Sequence, residues 1–346
     1  MIEKILRFSI AHRMLIVMLT VTVAAYGFYA LGKLPIDAVP DITNNQVQIN
    51  VEVPALSPFE VEKQVTYPVE TAMAGIPGLL ETRSISRNGF AQVTVIFEDD
   101  VDIYFARSQV NERLATAKEA LPEGSEVVMG AISTGLGEIY MWTVEYENPA
   151  ENYTTPEGRT LTSEFEKAMY LRTVQDWIIA PQIKTVKGVA AVDSIGGYAQ
   201  QYHVQPDPHK LSTLNLTFGD VIEALERNNA SIGAGYLEQK AEAYVVRADG
   251  RLETTEEIRN VVLATRGGVP IYIKDIATVG LGKELRTGSA SENGHEVVVA
   301  TAMMLKGENS RVVAKAVDLK LTEVNKSLPK GVKAKTVLNR TKLVEA

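Results

Sequence analysis

"TRSISRNGFAQVTVIFEDD", residues 82–100, is the stretch on which the fold turns. "TRSISR" and "AQVTVIF" are short and rich in β-formers, and Asn88-Gly89 between them is a dipeptide that closes tight hairpins. Upstream, Val47 to Val53 ("VQINVEV") alternates as a strand does. Pro58 then opens an amphipathic helix, "PFEVEKQVTYPVETAMAG", with a kink expected at Pro68. Downstream, Asp99 or Asp100 is expected to cap a second helix, "VDIYFARSQVNERLATAKEA", ended by Leu121-Pro122. The order β-α-β-β-α, closed by a later strand, is that of a split βαβ or ferredoxin-like sandwich.

The pattern recurs with an interruption. "EIYMWTVEY" (138–146) reads as an opening strand, and the polar "ENPAENYTTPEG" after it as a surface insertion. A helix follows from about Ser163 to Thr185, with a break or kink expected at Pro181, and then a strand at "GVAAVDSIG". The second half of the unit comes a hundred residues later, as "EVVVATAMML", "NSRVVAKAVDLKLTEVNKSL" and "VKAKTVL". Residues 198–280 between the halves carry strands of their own and a short helix, "FGDVIEALERNN", so one domain inserted into another explains the order. Within the insertion, "ASIGAGYLEQKAEAYVVRADG" reads as a long hairpin. It is too polar to support itself and is expected to lean on another subunit.

At 346 residues the chain exceeds one ordinary domain. A net charge of −8, with no run of five basic residues, argues against a nucleic-acid partner. The absence of cysteine excludes disulfides, Cys-type zinc sites and thiol nucleophiles. Met14 to Leu31 ("MLIVMLTVTVAAYGFYAL") is free of charge, and as a helix it covers about 27 Å, close to a hydrocarbon core of about 30 Å. Lys4, Arg7 and Arg13 precede this run, and Asp37 and Asp41 follow it, which predicts a cytoplasmic N-terminus and an exported bulk. A signal peptide cleaved near Ala30-Leu31-Gly32 is the competing reading. The run is longer than an ordinary signal core, so an uncleaved anchor is expected. "KLPIDAVPDITNN" is then an extended lead into the folded part.

These segments closely resemble the heavy-metal-efflux branch of the resistance-nodulation-division (RND) transporters, the cobalt-zinc-cadmium and copper-silver pumps. The resemblance is carried by "LPIDAVPDIT", "QVTYPVETAMAGIPG", "RSISRNGFAQVTVIFEDDVDIYFARSQVNERL", "STGLGEIY", "LRTVQDWIIAPQI", "GVAAVDSIGGYAQQYHVQPDPHKL" and "VPIYIKDIATV". It implies an α+β chain with a cytoplasmic N-terminus and one transmembrane helix (1–33) and two ferredoxin-like porter subdomains, 34–133 and 134–197 with 281–338. It also implies a docking subdomain at 198–280 and, at 339–346, the approach to a second membrane helix. The partners it implies are a homotrimer, a periplasmic adaptor (membrane fusion) protein, an outer-membrane channel, the inner-membrane bilayer and metal cations. It implies transport rather than enzyme activity, with no cofactor. The family's pumps are far longer, and the only apolar span here has no ionisable group for a proton relay, so this chain alone is not expected to pump. Ala131 stands where members often carry proline, and the 147–162 insertion is longer than in copper-type members.

The resemblance also bears on Glu138, a carboxylate at the mouth of an otherwise apolar strand. The position after "TGLG" is acidic in the zinc- and cobalt-type members and aromatic in the copper-type ones. Oxygen donors suit divalent ions such as zinc, cobalt, cadmium or nickel, whereas Cu(I) prefers thioether sulfur. Asp176 in "TVQDWI" is the second metal ligand that the resemblance implies. A solvated strand end and a helix-surface charge are the plainer readings of the two residues. His12, His203, His209 and His295 lack ligand spacing, and Met129, Met141, Met303 and Met304 are expected to fill cores, with the adjacent Met303 and Met304 on opposite faces. Gly196-Gly197 and Gly233/Gly235 are expected turns, and Asp193 and His203 lack a positioned nucleophile. A membrane-anchored metal-binding or assembly module and an RND exporter of organic compounds are the alternative functions. The 7% aromatic content weighs against the second.

Overall fold

The computed structural model describes residues 8–33, 43–53, 56–239, 242–284, 286 and 288–341. Lys4, Arg7, Asp37, Asp41, most of the proline-punctuated lead and the last five residues lie outside them. A helix over Arg13–Lys33 contains the apolar run, and Arg13–Ala30 is long and apolar enough to cross a membrane. None of that span is buried against the rest of the chain.

The first unit has strands β1 (Asn45–Glu52), β2 (Leu79–Arg87), β3 (Phe90–Phe97) and β4 (Glu126–Met129) in the sheet order β2-β3-β1-β4. Asn88-Gly89 does join β2 to β3, but only Gly89 has a positive φ, so the turn is not the doubly left-handed hairpin type. The reason is tertiary. The Gly89 N–H donates to Leu56 O and its carbonyl accepts from Val53 N–H, which ties the turn to the β1 exit. Asp102, rather than Asp99 or Asp100, caps the second helix (Ile103–Lys118), its carboxylate accepting from Phe105 N at 2.8 Å.

The first helix starts at a capping box between Ser57 and Glu60 and runs through Pro58–Val61, a π turn at Glu62–Thr66 and Tyr67–Met73. Val61, Val65, Val69 and Met73 are all fully buried. At about 100° per residue, the twelve steps from Val61 to Met73 overshoot three turns by about 120°. The wider π turn absorbs one residue and cuts the overshoot to about 20°. These side chains meet Val47, Ile49, Val51, Val93, Val95 and Phe97 of the sheet and Val110 and Leu114 of the second helix in one core.

The second unit opens with β5 (Glu138–Tyr146). Residues 147–162, read above as a surface insertion, carry a small hairpin, β6 (Tyr153–Thr154) and β7 (Thr160–Leu161). It is pinned to the unit's core, because Leu161 is buried and the Tyr153 ring packs on Tyr146 and Tyr170 at 4.8 and 5.4 Å. The helix that follows is not broken at Pro181. It runs as Glu164–Val174, a π turn at Gln175–Ile179 and Ala180–Lys184. Both long helices therefore place a π turn two residues before a proline, whose missing N–H and bulky ring disfavour the regular ladder there. β8 (Val189–Ile195) ends at Gly196-Gly197, both with positive φ, and a Cβ on Gly197 would lie 2.7 Å from Ala168 O.

The inserted segment leaves on β9 (Gln200–Pro206) and returns on β14 (Ala277–Lys283), and the two strands pair side by side. This pairing lets a long insertion interrupt a sheet with both of its ends together. Between them lie a helix at Phe218–Asn228, the hairpin β10 (Ser231–Gln239) and β11 (Glu242–Asp249), and a second pair, β12 (Val262–Arg266) and β13 (Val269–Tyr272). Leu211, Val221, Ile258, Ile273 and Ile276 form a separate core there. The second unit resumes with β15 (Ala290–Glu292), β16 (His295–Met304), a helix at Ser310–Asn325 and β17 (Val332–Asn339). β8 and β15 pair one edge of β16, and β5 pairs its other edge and then β17. The order β8-β16-β5-β17 repeats that of the first unit. Trp142, Tyr140, Val144, Ala300 and Ala302 meet the two helices on one face of this sheet, and among the described residues no helix packs on the other face.

Candidate metal site

Glu138 follows a 3-10 turn over Gly135–Gly137 and is exposed. The turn is held on both sides. The buried Arg340, just past β17, donates to the Leu136 carbonyl, and the backbone N–H of Lys306 donates to Ile132 O at 3.2 Å. Gly137 packs so closely that a Cβ there would lie 3.1 Å from Met304 O, so only glycine fits without a shift. The strand mouth is a built corner between the ends of β16 and β17.

Which face Glu138 occupies is settled by a bulge. Tyr140 pairs with Ala302 and Glu138 with Met303, so Ile139 is the extra residue. Ile139 and Tyr140 are both fully buried on the core side. Strict alternation would have put Glu138 there with Tyr140 and Trp142, but the bulge turns it onto the helix-free face. Beside it on that face is Met303, half-buried and not a core filler, while Met304 is buried on the opposite side. Met141 is likewise half-buried on the open face, opposite Thr301.

Asp176 sits elsewhere. It lies in the π turn, and Arg172 Nε donates to its Oδ2 at 2.6 Å, while Arg172 Nη1 reaches Gly196 O at 3.1 Å. The carboxylate thus serves an ion pair that fastens the helix to the turn leading into the insertion. It lines a cleft of about 470 Å³ with Arg172, Thr173, Trp177, Ala199 and Gln200. Trp142 Nε1 donates to Gln175 Oε1, the neighbour of Asp176, at 3.0 Å. Glu138 lies four residues from Trp142, about 13 Å along the strand. The fold does not bring the two carboxylates together.

Among the described residues, no group of three or more His, Cys, Asp or Glu is placed to hold a metal ion. His203 packs against Gly282, where a Cβ would lie 2.2 Å from the ring, and the exposed His12 ring lies tilted against Phe8 at 4.6 Å. Elsewhere on the open face, Glu145 pairs with Lys333 at 3.1 Å and Glu292 with Lys335, and the lysine bond holds the Glu292 carboxyl below its usual range. These carboxylates are already compensated, and Glu138 has no ion pair of this kind among the described residues. Sequence reading missed Arg340 and the bulge. Neither has a local signal, because both depend on partners far along the chain.

An apolar N-terminal helix leads into two α+β units of the same strand order, one of them interrupted. The AcrB/AcrD/AcrF family model matches residues 5–346, and the chain belongs to that family, in its heavy-metal-efflux (RND) branch. It is 51% identical over its whole length to protein HelA of Legionella pneumophila and 50% identical to the cobalt-zinc-cadmium resistance protein CzcA of Cupriavidus metallidurans. In each case it spans 32% of the relative. Identity to the cation efflux system protein CusA of Escherichia coli K12 is 36%, again over 32% of that protein. A crystal structure of a heavy metal efflux pump superposes with a TM-score of 0.82 at 30% identity, covering 96% of this chain and 32% of that one. The chain therefore spans about a third of the length of these relatives.

Proposed function

We propose that this chain is the cation-accepting N-terminal portion of a proton-driven pump that exports divalent metal ions, and that Glu138 is a ligand for the exported ion. The observation carrying this reading is the placement of Glu138, which a strand bulge and a clamped glycine turn hold on an open sheet face, with no ion-pair partner among the described residues. An exposed carboxylate without a fixed cation can take up and release a divalent ion, as transport requires. Asp176, already paired with Arg172 in a separate cleft, is assigned to an acidic point on the route rather than to the same ion. In this reading residues 34–133, and 134–197 with 281–338, are two ferredoxin-like porter subdomains, and 198–280 is a docking subdomain. The assembly is a homotrimer with a periplasmic adaptor protein and an outer-membrane channel. The remaining ligands and the proton relay belong to parts of the pump outside this chain, and no catalytic step or cofactor is involved.

Two experiments test the proposal. Expressing the complete pump in a host stripped of its own metal exporters should raise resistance to zinc, cobalt or cadmium and lower cell-associated metal. Unchanged accumulation of all three ions would sink the export reading. The charge bias around the Arg13–Ala30 span, with Lys4 and Arg7 before it, predicts an inner-membrane anchor with a cytoplasmic N-terminus. An alkaline phosphatase fused after residue 50 should then be active, and an inactive fusion at normal protein level would reverse the orientation.

A further inference from the structure

The open face of the second unit holds more than one donor. Register places Met303 opposite Glu138, and Ala191 of β8 opposite Met303. One row further in, Met141 stands opposite Thr301, and Thr301 opposite Asp193. On an antiparallel pair, opposed residues have Cβ atoms about 4.5–5.5 Å apart, and diagonal ones are about 7–8 Å apart. Met303 is thus the direct neighbour of Glu138, and Met141 is the diagonal neighbour of Met303. Both methionines are half-buried on the face without helices, whereas Met73, Met169 and Met304 are buried in cores. An unbranched thioether with three rotatable bonds can swing to meet an ion at the neighbouring carboxylate.

We propose that Met303 and Met141 are specificity-determining donors to the ion that Glu138 accepts, so that one carboxylate oxygen and two thioether sulfurs meet it from this half of the pump. The inference rests on the reading of Glu138 as a ligand, and it adds to that reading the class of ion preferred. Thioether sulfur favours soft ions, and carboxylate oxygen favours harder ones. A mixed set of this kind takes soft d10 divalent cations, with Cd(II) as the probe, ahead of Co(II). The competing role for the methionines is apolar cover for the sheet, since Leu338 flanks Met141 and Ala191 flanks Met303. A cover residue is replaced by leucine without consequence for ion preference, because the exchange conserves volume.

The experiment is a resistance comparison in the complete pump at matched protein level. In the Met141→Leu/Met303→Leu double variant, cadmium resistance should fall about tenfold or more beyond any fall in cobalt resistance, since even losing a supporting group costs a metal site about 10–100-fold in affinity. Met303→Leu alone should exceed Met141→Leu alone, because Met303 is directly opposed to Glu138. Met303→Cys keeps a soft sulfur and should restore the cadmium preference that Met303→Leu loses. Equal falls for both metals, no change for either, or identical behaviour of the Leu and Cys variants would each assign the methionines to packing and overturn the proposal. The ligand reading of Glu138 is tested separately by Glu138→Gln, which should lower resistance to both metals alike; unchanged resistance in that variant would overturn the ligand reading itself.

Discussion

Under the proposed export function, replacing Glu138 by glutamine in the complete pump should abolish most zinc and cobalt resistance while leaving protein level and the proposed trimer intact. Glutamine keeps the length and shape of the side chain and removes only its charge. The site tolerates that exchange structurally, because Glu138 is exposed and the corner is held by other groups. Those are the Arg340 bond to Leu136 O, the Lys306 N–H bond to Ile132 O and the Gly137 approach to Met304. Exposed substitutions away from such features shift stability by only about 0.5 kcal/mol. A neutral amide oxygen is a far poorer donor to a divalent ion than a carboxylate, so a ligand role predicts a loss of at least about tenfold in transport. The check is metal uptake into inverted vesicles together with growth on zinc and cobalt, at matched expression. Unchanged transport would return Glu138 to a solvated strand end. A lost trimer would make it a structural residue.

The largest effect on stability is expected at Trp142. Its side chain is fully buried on β5, the strand that pairs with both β16 and β17. Its indole N–H serves Gln175, itself fully buried, whose amide nitrogen donates to Ser194 Oγ at 3.3 Å. Trp142→Ala removes the largest buried side chain, at a cost of about 3–5 kcal/mol. It also leaves Gln175 Oε1 without its donor, a further cost of about 1–3 kcal/mol. Against a typical domain stability of about 5–15 kcal/mol, that removes most of what holds the second unit. Trp142→Phe keeps much of the volume and should show mainly the orphaned amide. Hydrogen exchange reads both variants, with protection lost across β5, β16 and β17. Strands β1 and β3, whose core is a separate cluster, should keep theirs. The second tryptophan, Trp177, is 79% exposed, so the blue-shifted share of the fluorescence should vanish in both variants. Retained protection in Trp142→Ala would show that the helices hold the second unit without this anchor.

Several features were legible in single stretches of sequence. The apolar span, the alternating strands, the two prolines in long helices and the interrupted second unit all declare themselves through period, composition and backbone restriction. Such signals act over a few residues, so they survive without knowledge of the fold. The Arg172–Asp176 pair was also readable, since its spacing is the i, i+4 spacing of a helix ion pair, and it warns that Asp176 is already engaged. The cap at Asp102 shows the limit of local reading. Several aspartates precede that helix, and the chain path after β3 decides which carboxylate reaches the free N–H groups. Asn293-Gly294, which the sequence reading passed over, closes β15 onto β16 with both residues at positive φ.

By itself, then, the sequence determined an α+β chain with an apolar N-terminal helix, a duplicated unit and a carboxylate at a strand mouth. It did not determine where that carboxylate points. Counted along β5, Glu138 belongs with Tyr140 and Trp142 in the core, where an unpaired charge is too costly to keep. The bulge at Ile139 forms only when β16 is alongside, and it alone turns Glu138, with Met303 for a neighbour, onto the open face. The separation of Glu138 from Asp176 is decided in the same way, by how the helix lies across the sheet. Strand partners and helix placement come from long-range packing, and a side chain's face is a property of the pair of strands, not of either one.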